Sequence, residues 1–323
     1  MLKLLKPLIL YACCSISIHG MGQKQEFIPF RNYSQGTGLT SYNITKILQD
    51  QFGFLWVGTQ DGLNCFDGKD FLVFNREAAP QRALSGNNVT DMVEDTARNV
   101  IWLATSYGGI KGISTITHNV SYAITGYTGI SLTDKWVRSL AIAGNMLWIG
   151  SYNGLYVYDL QSGRLLAPDV KKLPALNVSK LLRDPYNRVW AFCDDQGILV
   201  LDGSTGRLLD SIPAQALNTG SMSGRIIFWD VTFAGKQDIY AATSRGLKRL
   251  HCSADNVGIA AQQNDHFFSR EEIFSCATDK SGNIWLANAN GLYKYQPVGN
   301  WWSRMTDANF EMDSWQSAIY EIF

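Results

Sequence analysis

Short, mainly apolar bursts of four to six residues recur along most of this chain, separated by small polar turns. Ile44 to Leu48, Phe54 to Thr59, Leu63 to Phe66 and Phe71 to Phe74 are four such bursts in succession. Between them lie Gln51-Phe52-Gly53, Asp61-Gly62 and Asp67-Gly68. Apolar runs of this length bounded by turn residues predict strands, and turns this tight join neighbouring strands antiparallel. The four bursts therefore predict one four-stranded meander. No segment long enough for a crossover helix lies between them, which argues against a parallel α/β sheet.

The meander recurs. Trp56 sits in Phe54-Leu55-Trp56-Val57-Gly58-Thr59, and the same strand returns around Trp102, Trp148, Trp190, Tyr240 and Trp285, at spacings of 42 to 50 residues. Each copy is followed by a turn glycine and an aliphatic residue: Gly62, Gly109, Gly154, Gly197, Gly246 and Gly291. Four strands per repeat at a period near 46 are the dimensions of a propeller blade. The reading is an all-β β-propeller of six full blades, near 44–74, 89–125, 136–167, 178–210, 226–252 and 273–304, within a domain over 23–323. Ser317 to Phe323 has the character of a first strand and is expected to start a seventh blade, leaving a seven-bladed ring incomplete at the C-terminus. Glu26 to Asn32 resembles the fourth strand Asp70 to Arg76 and is expected to complete the last blade. On this arithmetic the chain reads as a truncated product, a broken gene or a fragment of something longer.

A single sheet cannot bury both its faces, so the recurrent Trp is expected to pack blade against blade. Asp50, Asp95, Asp184 and Asp279 precede the first hairpin in four units. A short carboxylate there accepts backbone N–H groups in the turn. A repeated ion site is the weaker reading, because no further carboxylates recur in step.

These repeats resemble the two-component regulator propeller repeat, whose pattern "I..I.qD..G.lWvGT..GL..yd" is followed closely by Ile44 to Asp67, Val89 to Ser114 and Ile273 to Tyr295. Ala191-Phe192 departs from the usual Gly-Thr, and Tyr240 replaces a Trp. The resemblance covers essentially 23–323. It implies the periplasmic sensor region of a hybrid two-component histidine kinase from a polysaccharide-degrading Gram-negative gut bacterium. In that family two seven-bladed propellers precede a β-sandwich, a transmembrane helix and a kinase, with receiver and DNA-binding domains often following. The implied ligand is an oligosaccharide, and the kinase chemistry falls on no residue here.

Composition narrows the alternatives. Lys plus Arg equal Asp plus Glu at 28 each, so the net charge is zero and a nucleic-acid surface is disfavoured. Residues 1–22 carry Lys3 and Lys6 before a short apolar run from Leu8 to Ile18, with Gly20 and Gly22 before the cut. This reads as a cleaved signal peptide and places the mature chain in the periplasm, with its longer parent anchored in the inner membrane. Leu10-Tyr11-Ala12-Cys13 is a weaker lipoprotein alternative. Cys65, Cys193, Cys252 and Cys276 remain; an exported chain permits disulfides, and buried free thiols are the blander reading.

The chain offers no catalytic set, metal set or cofactor motif. His118, His251 and His266 occupy unrelated repeat positions, and Asp194-Asp195 are adjacent rather than flanking a bond as glycosidase acids do. A binding reading is better supported. Loops 2–3 and 4–1 of every blade emerge on one face, where Tyr42, Asn43, Asn88, Tyr107, Trp136, Tyr152, Asn153, Arg245 and Asn290 are expected to be ligand-binding candidates. Rings stack on the C–H faces of sugars and amides bond to hydroxyls. Asn also simply makes turns, whereas Trp136 and Tyr152 are not asked for by turn chemistry. A sensor propeller leads, followed by a protein-docking scaffold completed by a second propeller, a partner chain or a second copy. A propeller lyase or hydrolase trails both.

Overall fold

The computed structural model describes residues 26–27, 33, 35–124, 126–127, 130–131, 136–166, 176–217, 225–254, 257–259 and 271–306. They form six antiparallel meanders, each with strand order one-two-three-four from its inner to its outer edge. The inner strands are Ile44–Gln49, Val89–Asp95, Val137–Ala143, Val178–Arg183, Phe228–Ala234 and Ile273–Thr278. The fifth blade extends past Cys252, where the sequence reading ended it, to a fourth strand at Val257–Ile259. That strand is only three residues long and interrupts no strong alternation, which hides it in the sequence. A two-stranded hairpin, Gly126–Tyr127 with Ile130–Ser131, lies between blades two and three. The expected signal peptide and the expected first strand of a seventh blade, at 317–323, lie outside the described residues.

The N-terminal segment corrects another expectation. The sixth blade has four strands of its own, ending in Trp301–Thr306, so it needs no completion. Glu26–Phe27 joins it as a fifth strand, parallel to Trp301–Thr306, with Glu26 opposite Met305 and Phe27 opposite Thr306.

The core is five layers of side chains between successive blades. Trp56 packs with Val89, Met92 and Ile101 of blade two. Trp102 meets Val137 and Leu147, Trp148 meets Val178 and Val189, and Trp190 meets Phe228 and Ile239. Tyr240 meets Ile273 and Ile284. These five rings are buried, whereas Trp285 of blade six is half-buried with the Lys294 ammonium 5.5 Å above it. Among the described residues no hydrophobic cluster spans blades six and one.

Four of the five Trp in this series are also tied by the indole. Asp50 Oδ1 accepts the N–H groups of Phe52 and Phe54, and its Oδ2 accepts the Trp56 indole at 2.8 Å. Asp184 and Asp279 repeat this with Trp190 at 3.0 Å and Trp285 at 3.1 Å. Asp95 instead gives its Oδ2 to the Arg98 guanidinium, and the Trp102 indole has no hydrogen-bond partner among the described residues. Trp148, with no Asp six residues before it, donates across to the Gly203 carbonyl of blade four.

Two glycine types shape the second strand and its turn. Gly62 has φ +121°, and a Cβ there would sit 2.6 Å from the Phe74 carbonyl oxygen. Gly58 is different: its Cβ would meet Val89 of the next blade at 2.6 Å, so it sets how closely two blades approach.

Every inner strand carries a bulge after its first residue, at Thr45, Thr90, Arg138, Ser179, Trp229 and Phe274. The residues that follow are Lys46, Asp91, Ser139, Lys180, Asp230 and Ser275, a Lys-Asp-Ser pattern repeated twice. They latch the blades. Asp91 Oδ2 accepts Ser139 Oγ at 2.8 Å and the Leu140 N–H at 2.7 Å, and Ser139 Oγ in turn accepts the Leu181 N–H. Asp230 Oδ2 accepts Ser275 Oγ at 2.7 Å and the Cys276 N–H at 3.1 Å, with Lys180 Nζ at 3.7 Å from its other oxygen. Burial pushes the Asp230 carboxyl up; the Lys180 and Lys46 charges with these hydrogen bonds outweigh it and hold the group below the usual carboxylate range.

Candidate functional site

In blades one, three and five the 2–3 hairpin is built by a side chain at the end of the second strand. Thr59 Oγ1 donates to the Gly62 carbonyl and accepts the Asp61 N–H; Ser151 and Thr243 do the same in blades three and five. The 4–1 loop is stitched to this hairpin by the residue before the inner strand. Asn43, Asn88, Trp136, Asn177 and Ile227 each accept, through the main-chain carbonyl, an N–H from the 2–3 turn of their own blade. Four of those positions hold Asn or Ile; the third holds an exposed Trp.

Around that Trp the structure brings three predicted candidates together. The Trp136 ring lies 5.9 Å from Tyr152, near-parallel at 27°, and 6.0 Å from Tyr107 of blade two. All three face solvent, at 67% for Tyr107, 43% for Trp136 and 50% for Tyr152. Tyr107 holds φ +59°, a left-handed conformation that turn chemistry reserves for Gly, Asn or Asp. Asp195 takes the matching position in blade four, at φ +63°.

Beneath the rings sits a residue the sequence reading missed. Arg138, the bulge residue of blade three, places its guanidinium carbon 5.4 Å from the Tyr152 ring centre. Its Nη1 donates to Asp194 Oδ2 and to Asn177 Oδ1, both at 2.8 Å. Asp194 Oδ1 accepts the Phe228 N–H of blade five at 3.1 Å, so one buried carboxylate links three blades. Asp195 Oδ1 accepts the Ile226 N–H, and its other oxygen takes the Arg225 guanidinium. Only the bulge could have flagged Arg138, because alternation alone assigns no direction to a bulged side chain.

The other candidates lie apart from the ring ladder or serve their own turns. Tyr42 is exposed on blade one, and Asn43 Nδ2 donates to Gln60. Asn88 Nδ2 donates to Ser106 Oγ, next to Tyr107. Asn153 adjoins Tyr152, its N–H held by Ser151. Arg245 donates to the Arg225 carbonyl on blade five, and the Asn290 carbonyl accepts Arg304 on blade six. Of the histidines, His118 packs edge-on against Trp56 at 5.7 Å, His251 Nδ1 is 3.8 Å from Asp238, and His266 lies outside the described residues. Cys65, Cys193, Cys252 and Cys276 are free and buried. Burial, with neighbouring carboxylates, pushes the Cys65 and Cys193 thiols up to about 12.

The two component regulator propeller family model matches residues 38–61. Over 77 residues the chain is 35% identical to "Histidine kinase P4" of Formosa agariphila, a match covering 24% of this chain and 5% of that protein. Among solved structures it is similar to the extracellular domain of what is described as a hybrid two component system, BT4673, from B. thetaiotaomicron. There the TM-score is 0.70 and the identity 22%, over 91% of this chain and 37% of the other. The corresponding domain of BT3049 gives a TM-score of 0.72 at 20% identity, over 91% and 39%. A streptogramin B lyase shares the fold at a TM-score of 0.60 and 13% identity, over 85% of this chain and 86% of the lyase. The chain thus spans under two fifths of both extracellular domains and a small part of the kinase it matches.

Proposed function

We propose that this chain is the periplasmic ligand-sensing propeller of a hybrid two component receptor, and that the ligand is an oligosaccharide seated on Tyr107, Trp136 and Tyr152. The longer parent carries the histidine kinase and is anchored in the inner membrane. The observation that carries the ligand site is the ladder itself: three exposed rings about 6 Å apart at positions where hairpin chemistry asks for none of them. Sugar rings stack on such faces. The family model match and the extracellular relatives support the sensor role. The lyase likeness is one of fold and assigns no chemistry.

The test is a glycan array followed by calorimetric titration of any hit against the parent chain and two variants. Trp136→Ala with Tyr152→Ala is expected to weaken binding at least about tenfold, a loss of about 1.4 kcal/mol. Tyr107→Asn is expected to weaken it too, while matching or exceeding the parent in thermal stability because Asn tolerates the left-handed backbone. Undiminished binding by the double variant removes the ladder from the site.

A second reading, docking of another protein chain, draws on the half-buried Trp285 of blade six. It expects dimerisation or partner capture that Trp285 substitution abolishes and ladder substitution leaves intact.

A further inference from the structure

We infer that this platform selects an uncharged oligosaccharide over an anionic one, and that Arg138 is a positioning residue for Tyr152 rather than an anion receptor. The inference rests on the ligand reading above and adds the charge of the ligand.

An arginine beside an aromatic ladder would ordinarily suggest a uronate or sulfate partner, since the guanidinium fork matches such oxyanions. Here the cation is already answered. The Arg138 side chain is 19% exposed and the Asp194 side chain 5%, and the two meet at 2.8 Å. Asn177 takes the same Nη1, and the second oxygen of Asp194 is held by the Phe228 N–H. An anion that drew Arg138 away would leave Asp194 buried without its cation, which is strongly disfavoured. The next cation along the face, Arg225, is exposed at 69% and pairs with Asp195.

The opposite flank points the same way. Asn88 Nδ2 reaches Ser106, which precedes Tyr107. The neighbouring Asn87 amide gathers two carboxylates, Asp61 at 3.1 Å and Glu77 at 3.5 Å. A negative ligand along the ladder would run from a neutralised arginine towards two acids. A neutral sugar chain needs only the ring faces and the amides, with the paired Arg138 guanidinium 5.4 Å from the Tyr152 ring centre.

The experiment uses the full chain and an array holding neutral oligosaccharides beside uronate-bearing and sulfated ones of equal length, read at 20 and 300 mM NaCl. Neutral hits at least tenfold tighter than their anionic counterparts, with affinity unchanged by salt, support the inference. Asp194→Asn, which frees the Arg138 charge, is then expected to narrow that preference at least fivefold. Preferential, salt-sensitive binding of uronates or sulfates by the parent chain overturns the charge assignment while leaving the ladder as a sugar site, and this needs no variant to fold. Binding of no oligosaccharide of either kind overturns the ligand reading and this inference with it.

Discussion

At the scale of single residues, the recurring Asp and the recurring Trp form one device in three blades, the first, fourth and sixth. In the sequence each has a sufficient explanation alone, the Asp as a turn acceptor and the Trp as packing, so their bond six residues apart is not legible. Asp184 shows it in its fullest form. Its oxygens accept the Tyr186 and Arg188 N–H groups, the Trp190 indole, the Arg188 guanidinium and the Cys252 thiol. Burial pushes the Asp184 carboxyl up, but the Trp190, Arg188 and Cys252 hydrogen bonds outweigh it and hold the group below the usual range. Burial and Asp184 push the Cys252 thiol up to about 11, so it remains a neutral donor. A carboxyl depressed in the folded state contributes stability above its unfolded pKa, near 4, and that contribution is lost as pH falls through the folded value. Urea midpoints are therefore expected to hold level from about pH 7 to 5 and to drop below about pH 4. Asp184→Asn should lower the midpoint at pH 7 and flatten the acid limb. An unchanged acid limb would show that other carboxylates set it.

At the scale of the element, the four-strand meander, its turn positions and its six-fold recurrence were readable, because alternation and turn glycines are local properties. The bulges were not: a skipped residue changes which side chain faces the next blade without disturbing composition. That is why Arg138 escaped notice while Trp136 and Tyr152 did not, and why Gly58 looked like part of a strand pattern instead of a contact point. The bulges also create the latches between inner strands. Asp91→Ala would leave Ser139 Oγ and the Leu140 N–H buried without their acceptor. It is expected to cost about 2–4 kcal/mol by chemical denaturation. Ser139→Ala, which removes a donor to Asp91 and the acceptor of the Leu181 N–H, should cost less, since Asp91 keeps Leu140. Equal and negligible losses would mean that the latches are redundant with the hydrophobic layers.

At the scale of the whole molecule, the layers differ in what covers their central ring. Trp190 is closed over by blade five, whereas Trp285 is half-buried. Trp190→Ala is expected to cost about 3–5 kcal/mol, the usual range for a buried Trp, and Trp285→Ala well under half of that. Scanning calorimetry of the two variants decides it; equal losses would mean that the sixth blade is as deeply packed as the fourth. The propeller architecture was legible from the repeat period. The parallel pairing of Glu26–Phe27 on the sixth blade was not, because two residues carry no period.

Six blades joined by five apolar layers behave, among the described residues, as a short linear array of units with nearest-neighbour coupling. Among the described residues the inner units share an apolar layer with a neighbour on each side, and such layers couple the units that meet across them. The two-residue parallel pairing adds backbone hydrogen bonds at the outer edge of blade six. The ring ladder and its arginine belong to blades two and three, and the arginine's partners Asn177 and Asp194 to blade four. The platform is thus flanked by apolar layers on each side, and a ligand held there adds its coupling where the described array is most cooperative.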